Sequence, residues 1–197
     1  DYKMQLVIDD APQKLSGFET ITYTNNSPDA LPYLWLQLDQ NIYTQDADNK
    51  LIEVEKMEDF KSIGDIQKKF FYYDGGFKIE SITNTSGVKM KYSVNKTMLR
   101  IDLERPLAAH SSISFQVKWW YNINDRMAVG GRSGYEYFEK DKNYLYTIAQ
   151  FFPRMCVYND VTGWQNKQFL GRGEFTLPFG NYDVSITVPA DHIIGAT

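Results

Sequence analysis

Short runs in which apolar and polar residues alternate are the feature that most limits what this chain can fold into. In Tyr2 to Asp9 every second residue is apolar, from Tyr2 to Ile8. A period of two is typical of a β-strand with one buried face. The run Leu31 to Leu38 (LPYLWLQL) is apolar on both faces, which predicts a more central strand.

The same reasoning predicts a series of further strands, separated by turn-forming Asn, Gly, Ser and Pro residues. They are Leu15–Thr24, Phe77–Ile82, Lys89–Val94, Thr97–Leu103, Ser112–Tyr121, Tyr144–Ala149, Glu174–Leu177 and Tyr182–Val188. Short strands at such spacing favour an antiparallel β-sandwich or open barrel. The predicted fold class is therefore mainly β.

Two segments depart from this pattern. From Thr44 to Asp74 the charge is high and apolar residues recur every three positions, at Val54, Met57, Phe60 and Ile63. That spacing indicates a weak amphipathic helix or a structured insertion. The stretch Asn122 to Asp141 contains three glycines and is predicted to be a long mobile loop.

Length, charge and hydropathy exclude several classes of protein. A chain of 197 residues that is 43% hydrophobic can bury a real core, and we expect one domain over residues 1–197. With 21 basic and 25 acidic residues the net charge is −4, which disfavours nucleic-acid binding. The apolar runs are far shorter than the ~20 residues that span a bilayer. The single cysteine forms no internal disulfide and leaves the compartment open.

The sequence lacks the spacings that mark a complete catalytic site. His110 and His192 are far apart, and neither forms a His-x-x-x-His pair. Cys156 has no neighbouring histidine to act as a base. The glycines of VGGRSGY, residues 129–135, are not followed by Gly-Lys-Ser/Thr. No cofactor or metal site is therefore predicted in this chain.

One irregular run stands out from the strands around it. Residues 149–165 read AQFFPRMCVYNDVTGWQ and combine a proline, an arginine, the cysteine, a carboxylate and four aromatic residues. From composition alone the run is open to three interpretations: a catalytic site, a binding rim or a corner of a β-domain.

The last quarter of the chain, Tyr144 to Thr197, resembles the end of the N-terminal β-domain of aminopeptidase N-type zinc metallopeptidases, the gluzincins, and of their bacterial branch most. Upstream, TITYTNNSPDALPYLWLQL (residues 20–38) is similar to the early strands of that family. The matching positions in the last quarter are Gln150, Phe151, Phe152, Pro153, Arg154, Cys156, Tyr158, Asp160, Gly163, Trp164, Gly180, Tyr182, Asp183, Val184, Ile186, Thr187 and Pro189.

The resemblance implies a large antiparallel, saddle-like β-domain that caps a thermolysin-like catalytic domain. In that family a His-Glu-x-x-His helix and a later Glu hold zinc, and a Gly-x-Met-Glu-Asn strand helps to anchor the substrate's amine; this sequence has neither motif. The chain alone is thus expected to be non-catalytic and to end just before the zinc-containing catalytic domain. Its implied partners are that domain and a peptide substrate. Exported relatives suggest the periplasm or cell envelope, with the cytoplasm left open.

The resemblance also assigns roles within residues 149–165. Gln150 is expected to line the pocket for the first side chain of the substrate and to help hold its amine. Phe152 stands where the family has Glu or Gln, which predicts a more apolar rim. Arg154 and Asp160 are expected to form a buried or interdomain ion pair that fixes the loop, against the alternative of a plain surface pair.

A function of another class stays open at this point. The chain has 4 Trp, 14 Tyr and 12 Phe residues, and this aromatic richness also fits a β-sandwich binding module for carbohydrate or a protein partner. An enzyme complete within the chain is disfavoured because metal and nucleophile constellations are missing.

Overall fold

The predicted alternation becomes a series of β-strands in the computed structural model, which describes residues 1–52, 63–64, 73–171 and 176–196. The strands are β1 Tyr2–Asp9, β2 Lys14–Thr24, β3 Leu31–Gln37, β4 Lys78–Asn84, β5 Lys91–Asn95, β6 Met98–Leu107, β7 Ser112–Asn122, β8 Gly134–Phe138, β9 Asn143–Thr147, β10 Arg154–Met155, β11 Tyr158–Asn159, β12 Gly163–Trp164 and β13 Tyr182–Thr187. The helical elements are a 3-10 helix at Asp39–Tyr43 and the short helices α1 Asp48–Ile52 and α2 Arg126–Val129. The mainly β class is confirmed.

Two sheets contain most of these strands. One has the order β13-β1-β2-β7-β4 and the other β10-β3-β6-β5, while β8–β9 and β11–β12 are separate two-stranded sheets. Most pairings are antiparallel, but β13 runs parallel to β1, with Tyr182 opposite Tyr2. A parallel pair needs a long connection, and β1 and β13 lie at opposite ends of the sequence.

The core lies between the two sheets. Inward residues of β1, β2 and β7, such as Met4, Ile21 and Trp119, pack in one cluster with Leu34 of β3 and Ile101 of β6. In β1 the residues Tyr2, Met4 and Leu6 are buried while their neighbours are exposed, so the period-two prediction is confirmed there. Burial of this apolar surface is the main favourable contribution to folding.

The sequence prediction for Asn122 to Asp141 was wrong, because this stretch contains helix α2 and strand β8. Strand β8 pairs with β9 in a hairpin, with Tyr135 opposite Tyr146. The glycines concealed this strand: they supply the left-handed turns before it, at Gly130 and Gly131.

Two further predictions fall partly outside the described residues. Within Thr44 to Asp74 the structure describes α1 and a helical pair at 63–64, whereas Val54, Met57 and Phe60 lie outside. Of the predicted strand Glu174 to Leu177, the described residues Thr176 and Leu177 belong to no strand.

Candidate functional site: a braced loop beside an apolar groove

A single 3-10 turn organises the irregular loop that the sequence singled out. Strand β3 ends at Gln37, and one residue later come Asp39, Gln40 and Asn41, which are almost fully buried, with exposures of 1%, 3% and 5%. Buried polar groups need partners. Asn41 finds its partners on other elements, donating to the Lys96 carbonyl and accepting from the Phe77 amide. The other two residues of the turn bind the loop.

Gln40 and Ser133 hold the start of the loop from two sides. The Gln40 Nε2 atom donates to the carbonyl oxygens of Ala149 and Gln150, both at 3.1 Å. The Ser133 hydroxyl donates to the Ala149 carbonyl and accepts from the Ala149 amide, each at 2.8 Å. The main chain before Gln150 is therefore fixed by two buried side chains.

Gln150 itself has a left-handed backbone, with φ of 52°. Such a conformation costs roughly 1–2 kcal/mol for a residue with a Cβ atom and persists where the surroundings enforce it. The Gln150 side chain is half-buried, and no hydrogen bond of its amide is found among the described residues. The main chain at Gln150 is thus held in place, while its side-chain amide has no hydrogen-bond partner among the described residues.

Asn124 supports this arrangement from behind. Its buried side-chain amide donates to the carbonyl oxygens of Gly130 and Ser133, at 3.0 and 2.8 Å. The turn that precedes hairpin β8–β9 is thereby fixed, and Ser133 is brought to Ala149.

The partner predicted for Arg154 was wrong. Arg154 forms a two-point ion pair with Asp39, with Nε 2.8 Å from Oδ2 and Nη2 3.1 Å from Oδ1. Gln37 donates a further hydrogen bond to Oδ1 of Asp39 at 2.9 Å. Asp160 is exposed on the turn between β11 and β12. Sequence proximity favoured Asp160, but β10 pairs with the end of β3 and so carries Arg154 to Asp39.

Burial and the arginine act in opposite directions on Asp39. Burial raises the pKa of the Asp39 carboxyl, while Arg154 and then Gln37 offset part of that rise. The pair is therefore one in which removal of either partner leaves the other buried without compensation.

Phe152 packs into an aromatic group. Its ring lies edge-on to the rings of Tyr2 and Tyr182, with centroid distances of 5.4 and 6.2 Å. The centroid of the neighbouring Phe151 ring is 5.0 Å away. These contacts attach the loop to the first sheet at β1 and β13. The role expected of Phe152 in a substrate pocket stays a prediction.

The loop contains one candidate nucleophile, the Cys156 thiol, and it is unreactive. Cys156 is buried, and burial raises the pKa of its thiol to about 12, so the thiolate needed for nucleophilic attack is scarce at neutral pH. Among the described residues no three His, Cys, Asp or Glu side chains are grouped to hold a metal ion. The part of the chain that the structure describes therefore does not fit a zinc site.

An apolar groove of about 1040 Å³ runs beside the loop. Ile148 and Phe151, on either side of Gln150, contribute to its wall. The rest of the lining comes from the inner face of β1 and β13, from Leu15 of β2, from β9, and from Val188 and residues 191–196.

Sequence reasoning identified the loop but missed the residues that shape it. The residues that shape the loop are Asp39, Gln40 and Ser133. They lie outside residues 149–165 in the sequence, and no motif or regular spacing links them to that run. The available signal was local: three polar residues follow directly on an apolar strand that the sequence marks as central, which predicts buried polar groups with partners elsewhere.

Comparison with known proteins gives a limited result. No protein family model and no curated protein matches the chain. Similar solved structures include an M1 zinc metallopeptidase from Deinococcus radiodurans, with 12% identity, a TM-score of 0.39, and coverage of 62% of this chain and 20% of that one. Another is a two-domain M1 zinc metallopeptidase mutant bound to L-arginine, with 13% identity, a TM-score of 0.39, and coverage of 70% and 25%. The chain spans a quarter or less of the length of these structures.

None of the described helices is long and apolar enough to cross a membrane.

Proposed function

We propose that this chain is a non-catalytic β-domain of a zinc aminopeptidase-like metallopeptidase. It caps the catalytic domain and contributes part of the wall of the pocket that receives the N-terminal residue of a peptide. Zinc belongs to the catalytic domain in this proposal, and residues 1–197 form one N-terminal domain. The sequence likeness over Tyr144 to Thr197 and the β architecture support it.

The observation that carries the proposal is the conformation of Gln150. Two buried side chains fix its left-handed main chain, yet its own amide has no partner among the described residues. The half-buried amide is therefore available to a group outside the described residues. An amide oxygen can accept a hydrogen bond from a substrate's ammonium group, which is worth about 1.5–3 kcal/mol when one partner is charged.

The first experiment compares the 197-residue chain with the polypeptide encoded by the complete gene. Zinc content and release of p-nitroaniline from a panel of aminoacyl anilides are measured for both. Zinc and turnover in the complete polypeptide alone are the expected result. Turnover by the 197-residue chain contradicts the proposal, and absence of zinc and turnover from both favours a binding module.

The role of Gln150 is tested in the complete polypeptide by Gln150→Gly. Glycine keeps the left-handed backbone without strain and removes the whole side chain, including the amide. We expect KM to rise by about 10- to 100-fold, the equivalent of one charged hydrogen bond, with a change in melting temperature no larger than that of a glycine substitution at another left-handed position. His110→Gly is the matched control, because His110 is exposed and has a φ of 57° in a distant turn. An unchanged KM in Gln150→Gly rules out the pocket role.

A further inference from the structure

His192 anchors the segment that follows β13 to the rest of the fold. From residue 191 to residue 196 this segment lines the groove. The His192 side chain is only 11% exposed, and its ring packs against the ring of Tyr146 on β9, with centroids 5.7 Å apart. Every other residue from 190 to 196 is exposed, so His192 is the point at which this stretch is held.

A carboxylate faces each nitrogen of the His192 ring. Nδ1 lies 3.0 Å from Oδ1 of Asp191, the preceding residue, and makes a hydrogen bond with it. Nε2 lies 3.5 Å from Oδ1 of Asp10, in the turn between β1 and β2. This buried nitrogen has no hydrogen bond among the described residues. The contact with Asp10 is the one that joins the segment to another element.

The Asp10 carboxylate is itself held in place. The Tyr146 hydroxyl lies 2.8 Å from its Oδ1 atom and 2.6 Å from Oε1 of Gln13 in the same turn. Burial, and then the bond with Asp10, raise the pKa of Tyr146, so this hydroxyl keeps its proton at neutral pH. In the part of the chain that the structure describes, the titratable groups against His192 are Asp10, Asp191 and Tyr146, and no Lys or Arg lines the groove.

A neutral ring cannot satisfy both carboxylates. Neutral imidazole has one N–H donor and one lone pair, so the nitrogen that lacks the proton directs its lone pair at a carboxylate. The imidazolium has an N–H on both nitrogens and can donate to Asp191 and Asp10 together. Hydrogen bonds between charged groups are also about twice as strong as neutral ones. The contacts of His192 are therefore complete only when the ring is protonated.

We propose that protonation of His192 closes a clamp between the segment after β13 and the β1–β2 turn, and so sets how open the groove is. Histidine side chains lose their proton between about pH 5 and 8. As pH rises through this range, the contact with Asp10 is lost and the segment leaves the groove more often. Aspartates are ordinarily ionised throughout it, and the hydrogen bond from His192 lowers the pKa of Asp191, so the ring supplies the change in charge. The clamp does not depend on the peptidase assignment.

Exchange of the residue 192 amide with solvent reports whether the clamp is closed, because this amide donates to the Pro189 carbonyl at 3.1 Å. NMR measures its protection factor in the 197-residue chain at pH 5.5 and pH 8. The protection factor is the slowing of exchange relative to an unstructured peptide at the same pH, so the intrinsic pH dependence of exchange cancels. We expect about threefold or more protection at pH 5.5 relative to pH 8, since proton binding and closure are linked. Equal protection at the two pH values overturns the proposal.

The two histidines of the chain provide a matched pair of variants. His192→Gln cannot take up a proton, and we expect it to show the same protection at both pH values. His110→Gln is the control, because His110 is exposed in the turn between β6 and β7, and it should keep the pH dependence of the original protein. A dependence that survives unchanged in His192→Gln belongs to another group, such as the buried Glu19, and contradicts the proposal.

Asp10→Asn tests whether the clamp joins two elements. Asparagine can still accept the hydrogen bond of Tyr146 but has no charge to attract the imidazolium. We expect the pH dependence of protection to fall to that of His192→Gln. Asp9→Asn removes the same charge from the preceding, exposed residue and should keep the dependence of the original protein. A full pH dependence in Asp10→Asn would mean that His192 responds to Asp191 alone, and it overturns the clamp.

Discussion

Gly17 is a residue that no other amino acid can replace without moving the core. A Cβ atom at Gly17 would lie 2.2 Å from Cζ2 and 2.4 Å from Cε2 of Trp119, the residue directly opposite on β7. Trp119 cannot retreat easily, because its ring stacks on Tyr121 and meets Phe77 edge-on at 5.3 Å.

We therefore expect Gly17→Ala to lower the free energy of unfolding by about 1–3 kcal/mol or more, the usual cost of overpacking. Urea denaturation measures it. Gly195→Ala is the control, since no atom lies within 4 Å of a Cβ at that site. Trp119→Phe in the Gly17→Ala protein should recover part of the loss, because the two sites are in contact. Equal stability of Gly17→Ala and Gly195→Ala would show that the indole ring moves freely.

At the scale of elements, the ion pair between Arg154 and Asp39 joins β10 to the 3-10 turn. The side chains are 11% and 1% exposed, so Arg154→Ala leaves a buried carboxylate without its counter-charge. We expect a loss of about 3–5 kcal/mol in the free energy of unfolding, as for other buried pairs broken on one side. Asp160→Asn, at the partner predicted from sequence, should change stability by less than about 0.5 kcal/mol.

A double variant separates the pair's own contribution from the penalty of breaking it. Arg154→Met with Asp39→Leu removes both charges together, and replacement of a whole buried pair by apolar residues is often neutral or stabilising. The double variant should therefore be more stable than Arg154→Ala in urea denaturation. If it is as unstable as the single variant, packing rather than charge accounts for the loss.

How far the sequence predicts these elements depends on the range of the interactions that form them. Strand β1 was predicted with its observed bounds, Tyr2–Asp9, because alternation is a local signal. Strand β8 was missed because the glycines at its start and just before it resemble a loop, although its hairpin partner β9 follows closely in the chain. The position of Gln150 in a special loop was predicted, but no local pattern indicates that Gln40 and Ser133 bind this loop, because their contacts with Ala149 and Gln150 form only in the folded chain.

The groove also depends on contacts between residues that are far apart in the sequence, so it could not be predicted from local patterns. The alternation of β13 was predicted from residues 182–188, yet that pattern says only that one face is apolar. The sheet order and the parallel pairing with β1 decide which surface lies opposite that apolar face. They also decide whether the chain itself supplies this surface.

At the scale of the whole molecule, one buried carboxyl should govern how stability depends on pH. Glu19 points into the core from β2 with 0% exposure, between Met4 and Val117 on the neighbouring strands. Burial raises its pKa well above the ordinary value of 4.5, and the indole N–H of Trp119 offsets only part of that rise.

The sign of the effect follows from proton binding. Above about pH 4.5, the ordinary value of the unfolded chain, the unfolded state loses the Glu19 proton while the folded state keeps it. The free energy of unfolding then falls as pH rises, by about 1.4 kcal/mol per pH unit, until the raised folded pKa is reached. The stabilisation is thus complete below pH 4.5 and is lost toward higher pH.

Glu19→Gln keeps the shape and polarity of the protonated side chain and cannot ionise. Urea midpoints at pH 4 should be close for the variant and the original protein, and the variant should become the more stable of the two as pH rises. Glu104→Gln, at an exposed position of β6, should follow the original curve. Among the described residues no cation faces the Glu19 carboxyl, so burial should dominate its ionisation. Parallel curves for Glu19→Gln and the original protein would contradict this, because they would mean that Glu19 ionises in the folded core as easily as in water.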